Sequence, residues 1–223
     1  LQYLIGLQNG QGHIDDIDNL GNRRLRTVGE ILATTAFRDG LLRLERVIKE
    51  KMSLVSTEDL VVPGSIVNSR PVISAVNEFF RSSQLSQIIE QTNPLSEIDH
   101  LRRITVMGRG GITRERASFS IRDVNISQYG RIDPVRSPEG GNIGLVTYLS
   151  LYAKVNKFGF LEVPYRKVVN KKITDEIVYL SADDEENYRI SHSDLHIDSK
   201  NFITDDWLPI RYQNTYTEGP ADS

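Results

Sequence analysis

The chain has 223 residues, of which 39% are hydrophobic and 26% charged, and it carries a formal net charge of -3. That is the composition of a globular protein with room for one large or two small domains, and no apolar run nears the roughly 20 residues that span a bilayer. The first residues, LQYLIGLQNG, lack the basic start and small-residue cleavage site of a signal peptide, and the absence of cysteine excludes disulfides and thiolate metal sites.

Residues 1–12 form a short apolar run followed by turn residues. HIDDIDNLGNRRLRTVGE follows, with Asp15, Asp16 and Asp18 facing Arg23, Arg24 and Arg26 around an Asn-Leu-Gly-Asn turn. Asx residues and glycine predict a tight loop, which mutual ion pairs would fix or which would face a polar ligand. Thr27, with Glu30 three residues on, reads as a capping box. It opens a long scaffold helix whose apolar residues Val28, Ile31, Leu32, Phe37, Leu41, Leu44, Val47 and Ile48 recur every three or four positions. Gly40 weakens that helix without breaking it. Pro63-Gly64 marks a turn, and a second helix starts near Pro71 and runs through Val72, Ile73, Val76, Phe79 and Phe80.

Residues 79–145 are dense in amides, hydroxyls and arginines. Residues 82–90 read as a short helix ended by Asn93-Pro94. Ser96 then caps another helix running from Ile98 to Arg103, with His100 on it. With no cysteine and no second histidine nearby, His100 is a packed or hydrogen-bonded residue rather than a metal ligand. Gly108-Arg109-Gly110-Gly111 opens a mobile hairpin or loop over residues 108–118 that carries Arg114-Glu115-Arg116. Residues 119–124 alternate like a strand, and residues 129–142 (YGRIDPVRSPEGGN) form a long structured loop. Residues 143–153 read as helix or buried strand, with helix favoured because Val146, Leu149 and Ala153 share one face. From Arg102 to Arg136 eight arginines face three carboxylates, a local excess of five positive charges in a net-negative chain. Guanidinium forks suit phosphate, although a solvated basic face has the same composition.

Beyond Phe158 the pattern turns to an antiparallel sheet: residues 161–165 and 167–169, an Asn-Lys-Lys turn, then Ile173 and residues 177–180. Residues 183–186 form an acidic surface turn. From Lys171 to the end, twelve carboxylates oppose five lysines and arginines, so the acidic end and basic middle are segregated. A start at Leu1 and an end at Pro220-Ala221-Asp222-Ser223 without a capping element read as a piece of something longer.

Three stretches, QLSQIIEQTNPLSEIDHLRRI, GGITRERASFSIRDV and YGRIDPVRSPEGGNIGLV, closely resemble the β subunit of bacterial-type DNA-directed RNA polymerase. DDIDNLGNRRLRTVGE and FGFLEVPYRKV match it in the same order, so the resemblance covers nearly the whole chain and fades after about Asn187. It implies an α+β fold: a helical protrusion-like part with mixed loops and helices, followed by an antiparallel β fork region. The implied divisions are residues 1–26 (end of the lobe and a base-pocket loop), 27–106 (helical protrusion-like part with the start of the rifamycin-pocket segment), 107–157 (fork loop and hybrid-facing segment) and 158–223 (antiparallel β region with an acidic end).

The resemblance also implies roles for individual residues. Gln84, Gln87, Arg103, Arg114, Arg116 and Asn142 match positions along the RNA–DNA hybrid, with Gln87, Arg114 and Asn142 looking toward the nascent RNA backbone. Ile17, Asp18 and Arg23, with Ile112 and Ile121, match a pocket for an unpaired base of the non-template strand, in which Asp18 would accept from a guanine edge. Gln87, Ile88, Glu90, His100, Arg103, Thr105, Met107, Arg114, Glu139, Asn142 and Val146 match the rifamycin pocket. Residues 108–118 are similar to the fork loop at the downstream edge of melted DNA. Such groups position nucleic acid without reading its sequence, as a translocating polymerase requires.

Several residues depart from the family pattern: Ile88 stands where phenylalanine is usual, Leu101 for lysine, Thr105 for serine, Arg109 for proline, Arg136 for an acidic residue and Gly141 for proline. The first and third alter the drug pocket, so weakened rifamycin binding is expected. The implied partners are DNA, RNA, the β′ and α subunits and sigma factor, with no membrane. The implied location is the cytoplasm (nucleoid), or an organelle if the chain is plastid-encoded. Nucleotidyl transfer needs Mg²⁺ on clustered carboxylates, and the family places these on the partner β′ subunit. No cofactor and no catalytic residue is therefore expected here, and the chain alone should be inactive. The competing reading is a stand-alone RNA-binding or scaffold module that uses the Arg102 to Arg136 face. It calls for exposed aromatics, and only Phe119 and Tyr129 lie in that stretch. An enzyme reading with Glu139 and His100 as acid and base needs a pocket that the sequence does not demonstrate.

Overall fold

A computed structural model describes residues 2–12, 14–55, 62–213 and 215–221. Leu1 and Asp222-Ser223, part of the reading of cut ends, lie outside them. The chain folds as two compact units, residues 26–100 and residues 1–25 with 101–223.

After α1 (Gln2–Gln8) and the aspartate-rich loop, the chain enters the helical unit. There α2 (Val28–Leu32), a π-helical turn (Ala33–Phe37) and α3 (Arg38–Leu54) make the predicted long helix. Thr27 precedes it in extended conformation but makes no side-chain cap bond, so the predicted capping box does not form. The π turn falls where Thr34 and Thr35 donate back to the carbonyls of Glu30 and Ile31 at 2.8 and 2.6 Å, a competition that bends helices. Gly40 is buried, and a Cβ there would stand 2.9 Å from Val72 Cα. It is the point where α3 crosses α5 (Arg70–Ser82), beside buried Ala75, which is why a poor helix former sits inside a helix. The short α4 (Pro63–Ile66) lies between them in sequence.

Beyond α5 the predicted helix over residues 82–90 is absent. Ser83 turns extended, its hydroxyl accepts from Leu85 N–H at 3.3 Å, and Ser86 donates to the Phe80 carbonyl at 2.7 Å. Hydroxyls here take the backbone groups that a helix would use. The following helix, α6 (Pro94–Leu101), is capped by Asn93, whose side chain accepts from Ser96 N–H at 2.8 Å. The expected cap, Ser96, is already inside it, and the helix stops before Arg103.

In the other unit β1 (Arg103–Thr105) pairs antiparallel with β2 (Val146–Tyr148), so residues 143–153 hold a strand rather than the favoured helix. Residues 119–124 are not a strand either: α7 (Phe119–Arg122) is a single helical turn. The strands β3 (Lys154–Val155), β4 (Leu161–Val169) and β5 (Lys172–Leu180) form an antiparallel sheet as expected. The β4–β5 turn sits on Asn170 and Lys171, at φ 51° and 61°, the left-handed pair that matches strand twist in a two-residue hairpin. Then α8 (Ala182–Glu185) follows, with Ser181 and Asp184 completing a capping box, and β6 (Ile190–Ser191), β7 (Trp207–Tyr212) and β8 (Thr215–Pro220) form a third antiparallel sheet.

Two small apolar clusters hold this unit. Leu20, Ile132, Leu161 and Ala182 form one, with Ile104, Leu149 and Val155 packed on it; Ile203, Leu208 and Ile210 form the other, with Ile173, Leu195 and Ala221. In the expected surface turn over residues 183–186, Glu185 is only 5% exposed, and its ion-pair partner Arg131, from the basic middle of the chain, is 0% exposed, so neither belongs to the solvated charge of the surface.

Candidate nucleic-acid interface

The antiparallel register sets Arg103 opposite Tyr148 and Thr105 opposite Val146. Side chains alternate along a strand, so these four residues share one face of the β1–β2 ladder. The Arg103 guanidinium lies 5.5 Å from the Tyr148 ring centroid, and that of Arg136 lies 4.0 Å from it. Arg136 is held there by a built turn: Asp133 N–H donates to the Tyr148 carbonyl at 2.9 Å, and the Asp133 carboxylate accepts from Val135 and Arg136 N–H. Tyr148 was not singled out in the sequence, because a helix over residues 143–153 hides its partnership with Arg103.

The glycine loop after β1 closes on itself. Gly111 N–H donates to Gly108 O at 2.9 Å and Ile112 N–H to Val106 O at 3.0 Å, while Val106 N–H donates to Leu145 O at 3.0 Å. Within the expected mobile hairpin or loop, the glycines form a bonded turn with Arg109 exposed on it and Ile112 half-buried at its exit. Met107 is half-buried, its N–H donating to Thr105 Oγ1 at 3.1 Å.

Arg114 and Arg116 stand exposed on a 3-10 turn (Arg114–Arg116). Arg114 runs beside the 3-10 turn Gly140–Asn142: a Cβ placed on Gly141 would lie 3.1 Å from Arg114 Cδ. Two residues 28 positions apart in sequence, Arg114 and Asn142, therefore come together. Asn142 Oδ1 is buried without a hydrogen-bond partner, the one side-chain atom of that kind among the described residues. Glu139 is exposed just before it, and Val146 is half-buried on β2.

The other half of the expected set belongs to the helical unit. Gln84, Gln87 and Glu90 are exposed on the irregular stretch after α5, and Ile88 is 96% exposed. His100 on α6 organises that stretch: its Nδ1 accepts from Glu90 N–H at 3.1 Å, which leaves Nε2 to donate to Gln87 Oε1 at 3.1 Å. This agrees with the reading of His100 as a hydrogen-bonded residue.

In the aspartate-rich loop Arg23 pairs with Asp18 at 3.5 Å, and Asp16 accepts from Asp18 N–H at 2.9 Å. Asp16 also accepts from Asn125 at 2.6 Å, and Leu20 N–H donates to Ser127 Oγ at 2.9 Å, which ties the loop to the segment after α7. Ile17, 83% exposed, stands at its tip, and Ile121 on α7 is half-buried.

The eight arginines divide by role. Arg131 is wholly buried; Arg102 spends its guanidinium on the carbonyls of Leu149, Ser150 and Leu151; and Arg122 donates to three more carbonyls. These three structural arginines lie within the expected basic face, and nothing in their spacing distinguishes them. Phe119 is 88% exposed, while the Arg211 guanidinium lies 5.3 Å from the Tyr129 ring centroid. Among the described residues no group of three or more His, Asp or Glu is placed to hold a metal, and no helix is long and apolar enough to cross a membrane.

Comparison with known families gives two matches. A family model described as RNA polymerase Rpb2, domain 3, matches residues 87–155, and one described as RNA polymerase beta subunit external 1 domain matches residues 165–223. Together they cover more than half of the chain, in the order that the sequence motifs follow.

Proposed function

Because the chain belongs to the β subunit family of DNA-directed RNA polymerase, a nucleotidyltransferase, we propose that it holds the sugar–phosphate backbone of the RNA–DNA hybrid. Its contacts are Arg103, Arg114, Arg116 and Asn142, and the family resemblance assigns Gln84 and Gln87 of the helical unit to the same task. The observation that carries this reading is the pairing of Arg114 with the Gly140–Asn142 turn. It places an exposed guanidinium fork beside the Asn142 turn, and a guanidinium fork and an amide N–H₂ both suit a sugar–phosphate chain as donors. Arg103 presents a further fork from the β1–β2 face.

In this reading residues 108–118 stand at the downstream fork, and the loop around Ile17, Asp18 and Arg23, with Ile112 and Ile121, receives an unpaired base. The rifamycin-pocket reading takes Arg103, Thr105, Met107, Arg114, Glu139, Asn142 and Val146 on this ground, and Gln87, Ile88, Glu90 and His100 are assigned to it by the family resemblance. Residues 1–26, 27–106, 107–157 and 158–223 correspond to lobe end, protrusion, fork and the following β region. Catalytic Mg²⁺ and its carboxylates belong to the β′ partner, and this chain contributes positioning and electrostatics.

The test is the salt dependence of hybrid retention by the assembled polymerase. Counterion release gives a slope that scales with the number of phosphates neutralised. Arg114→Ala should weaken retention on every sequence alike and reduce the slope by about one phosphate contact. An unchanged slope would overturn the assignment.

A further inference from the structure

We propose that Arg122 is a positioning residue that holds Arg114 and Asn142 together as one grip on the polynucleotide backbone. The inference rests on the hybrid-binding reading above and adds a residue which that reading does not use. Arg122 ends α7 and is half-buried. One nitrogen, Nη1, donates to the carbonyls of Gly141 and Ile143, both at 2.9 Å, and the other, Nη2, reaches the carbonyl of Arg114 at 3.4 Å.

Those acceptors are informative. Gly141 and Ile143 flank Asn142, so a single nitrogen pins the backbone on both sides of that amide. Arg114 belongs to a separate 3-10 turn, and neither turn has a strand partner to fix it. The planar fork of arginine can hold three carbonyls from two segments at once in a fixed geometry, and its charge strengthens each bond.

The backbone of Arg122 takes part as well. Gly144, at φ +70°, lies so close that a Cβ there would stand 2.4 Å from Arg122 O and 2.6 Å from Arg122 Cα. Gly144 N–H donates to Ser137 Oγ at 3.1 Å and Leu145 N–H to Asn142 O at 3.0 Å. The segment carrying Asn142 is therefore clamped to the end of α7 by main chain and side chain together. With its donors on protein carbonyls, Arg122 acts through Arg114 and Asn142.

A double-mutant cycle on the assembled polymerase tests this, with hybrid retention at fixed salt as the readout. Arg122→Ala should reduce retention about tenfold in the otherwise unaltered enzyme, and less than about twofold once Arg114→Ala and Asn142→Ala are present. Arg122→Lys, which keeps the charge but not the fork, serves where Arg122→Ala fails to assemble. It should show the same dependence on background. An equal loss in both backgrounds, or none in either, overturns the inference while the hybrid reading stands. If Arg114→Ala with Asn142→Ala itself changes nothing, the hybrid reading falls and takes the inference with it.

Discussion

Arg131 donates to the Glu185 carboxylate at 2.6 Å from a position with no solvent exposure. The same guanidinium reaches the carbonyls of Leu161, Ser127 and Leu180 at 2.9 to 3.0 Å. Glu185 in turn accepts from Arg211 at 2.8 Å and from the Tyr165 hydroxyl at 2.7 Å, and Arg211 donates to the Tyr165 oxygen at 3.0 Å. Burial works against the charge of Arg211, but Glu185 outweighs it and holds that guanidinium above the ordinary arginine value. One carboxylate thus balances two buried cations and joins the loop before Ile132, the β4–β5 hairpin, α8 and β7.

Glu185→Ala leaves both guanidinium groups without their counter-charge. Breaking a buried pair from one side costs about 3 to 5 kcal/mol, so urea unfolding should show a loss of that order. A loss in the range of exposed ion pairs in general, under about 1 kcal/mol, would show that water screens the network.

Alkaline pH should weaken the same region through Tyr165. Burial, and then the Glu185 carboxylate, push its phenol well above the ordinary tyrosine value. An unfolded chain releases that proton from about pH 10 upward while the folded chain keeps it, so stability falls as pH rises through that window. Tyr165→Phe should lose about 1 kcal/mol at neutral pH and show a shallower decline of Tm above about pH 10. Parallel Tm profiles for the two proteins would rule out this role.

Gly144→Ala and Gly140→Ala make a matched pair, since both glycines have positive φ but only the first is crowded. Nothing lies within 4 Å of a Cβ on Gly140, so its substitution should cost about 1 kcal/mol of backbone strain. Gly144→Ala drives a methyl into the Arg122 main chain and should cost about 2 kcal/mol or more beyond that. Denaturant midpoints of the two variants decide it.

Rifamycin affinity tests the pocket assignment. Ile88→Phe restores aromatic area and Thr105→Ser removes a methyl group, and each should tighten binding by about 1 kcal/mol, roughly fivefold. Titration of the assembled polymerase would refute the assignment if both variants bound as the parent does.

Local chemistry made some of this architecture readable in advance. The β4–β5 hairpin follows from β-branched alternation and an Asn-Lys turn, and α3 and α5 follow from apolar residues every three or four positions. What escaped is set by distant partners. β2 is a strand because β1 lies beside it, more than 40 residues earlier in the sequence, and Arg131 is buried because Glu185 meets it from 54 residues away. The 119–124 segment alternates like a strand but has no neighbour to pair with, so it closes into a helical turn. For the candidate interface, motif resemblance named Arg114 and Asn142. It could not separate arginines that face outward from Arg102, Arg122 and Arg131, whose donors serve carbonyls.

The β4–β5 hairpin begins on the cluster of Leu161 and Leu20, and near its tip Ile173 packs against the cluster of Ile203 and Leu208. Midway, between Arg166 and Val168, the ladder shifts register. A ribbon shared by two cores ties their fates, so severing it near Asn170 should loosen both together. The irregularity between the two halves then acts as the joint that lets each half present its apolar side to a different core.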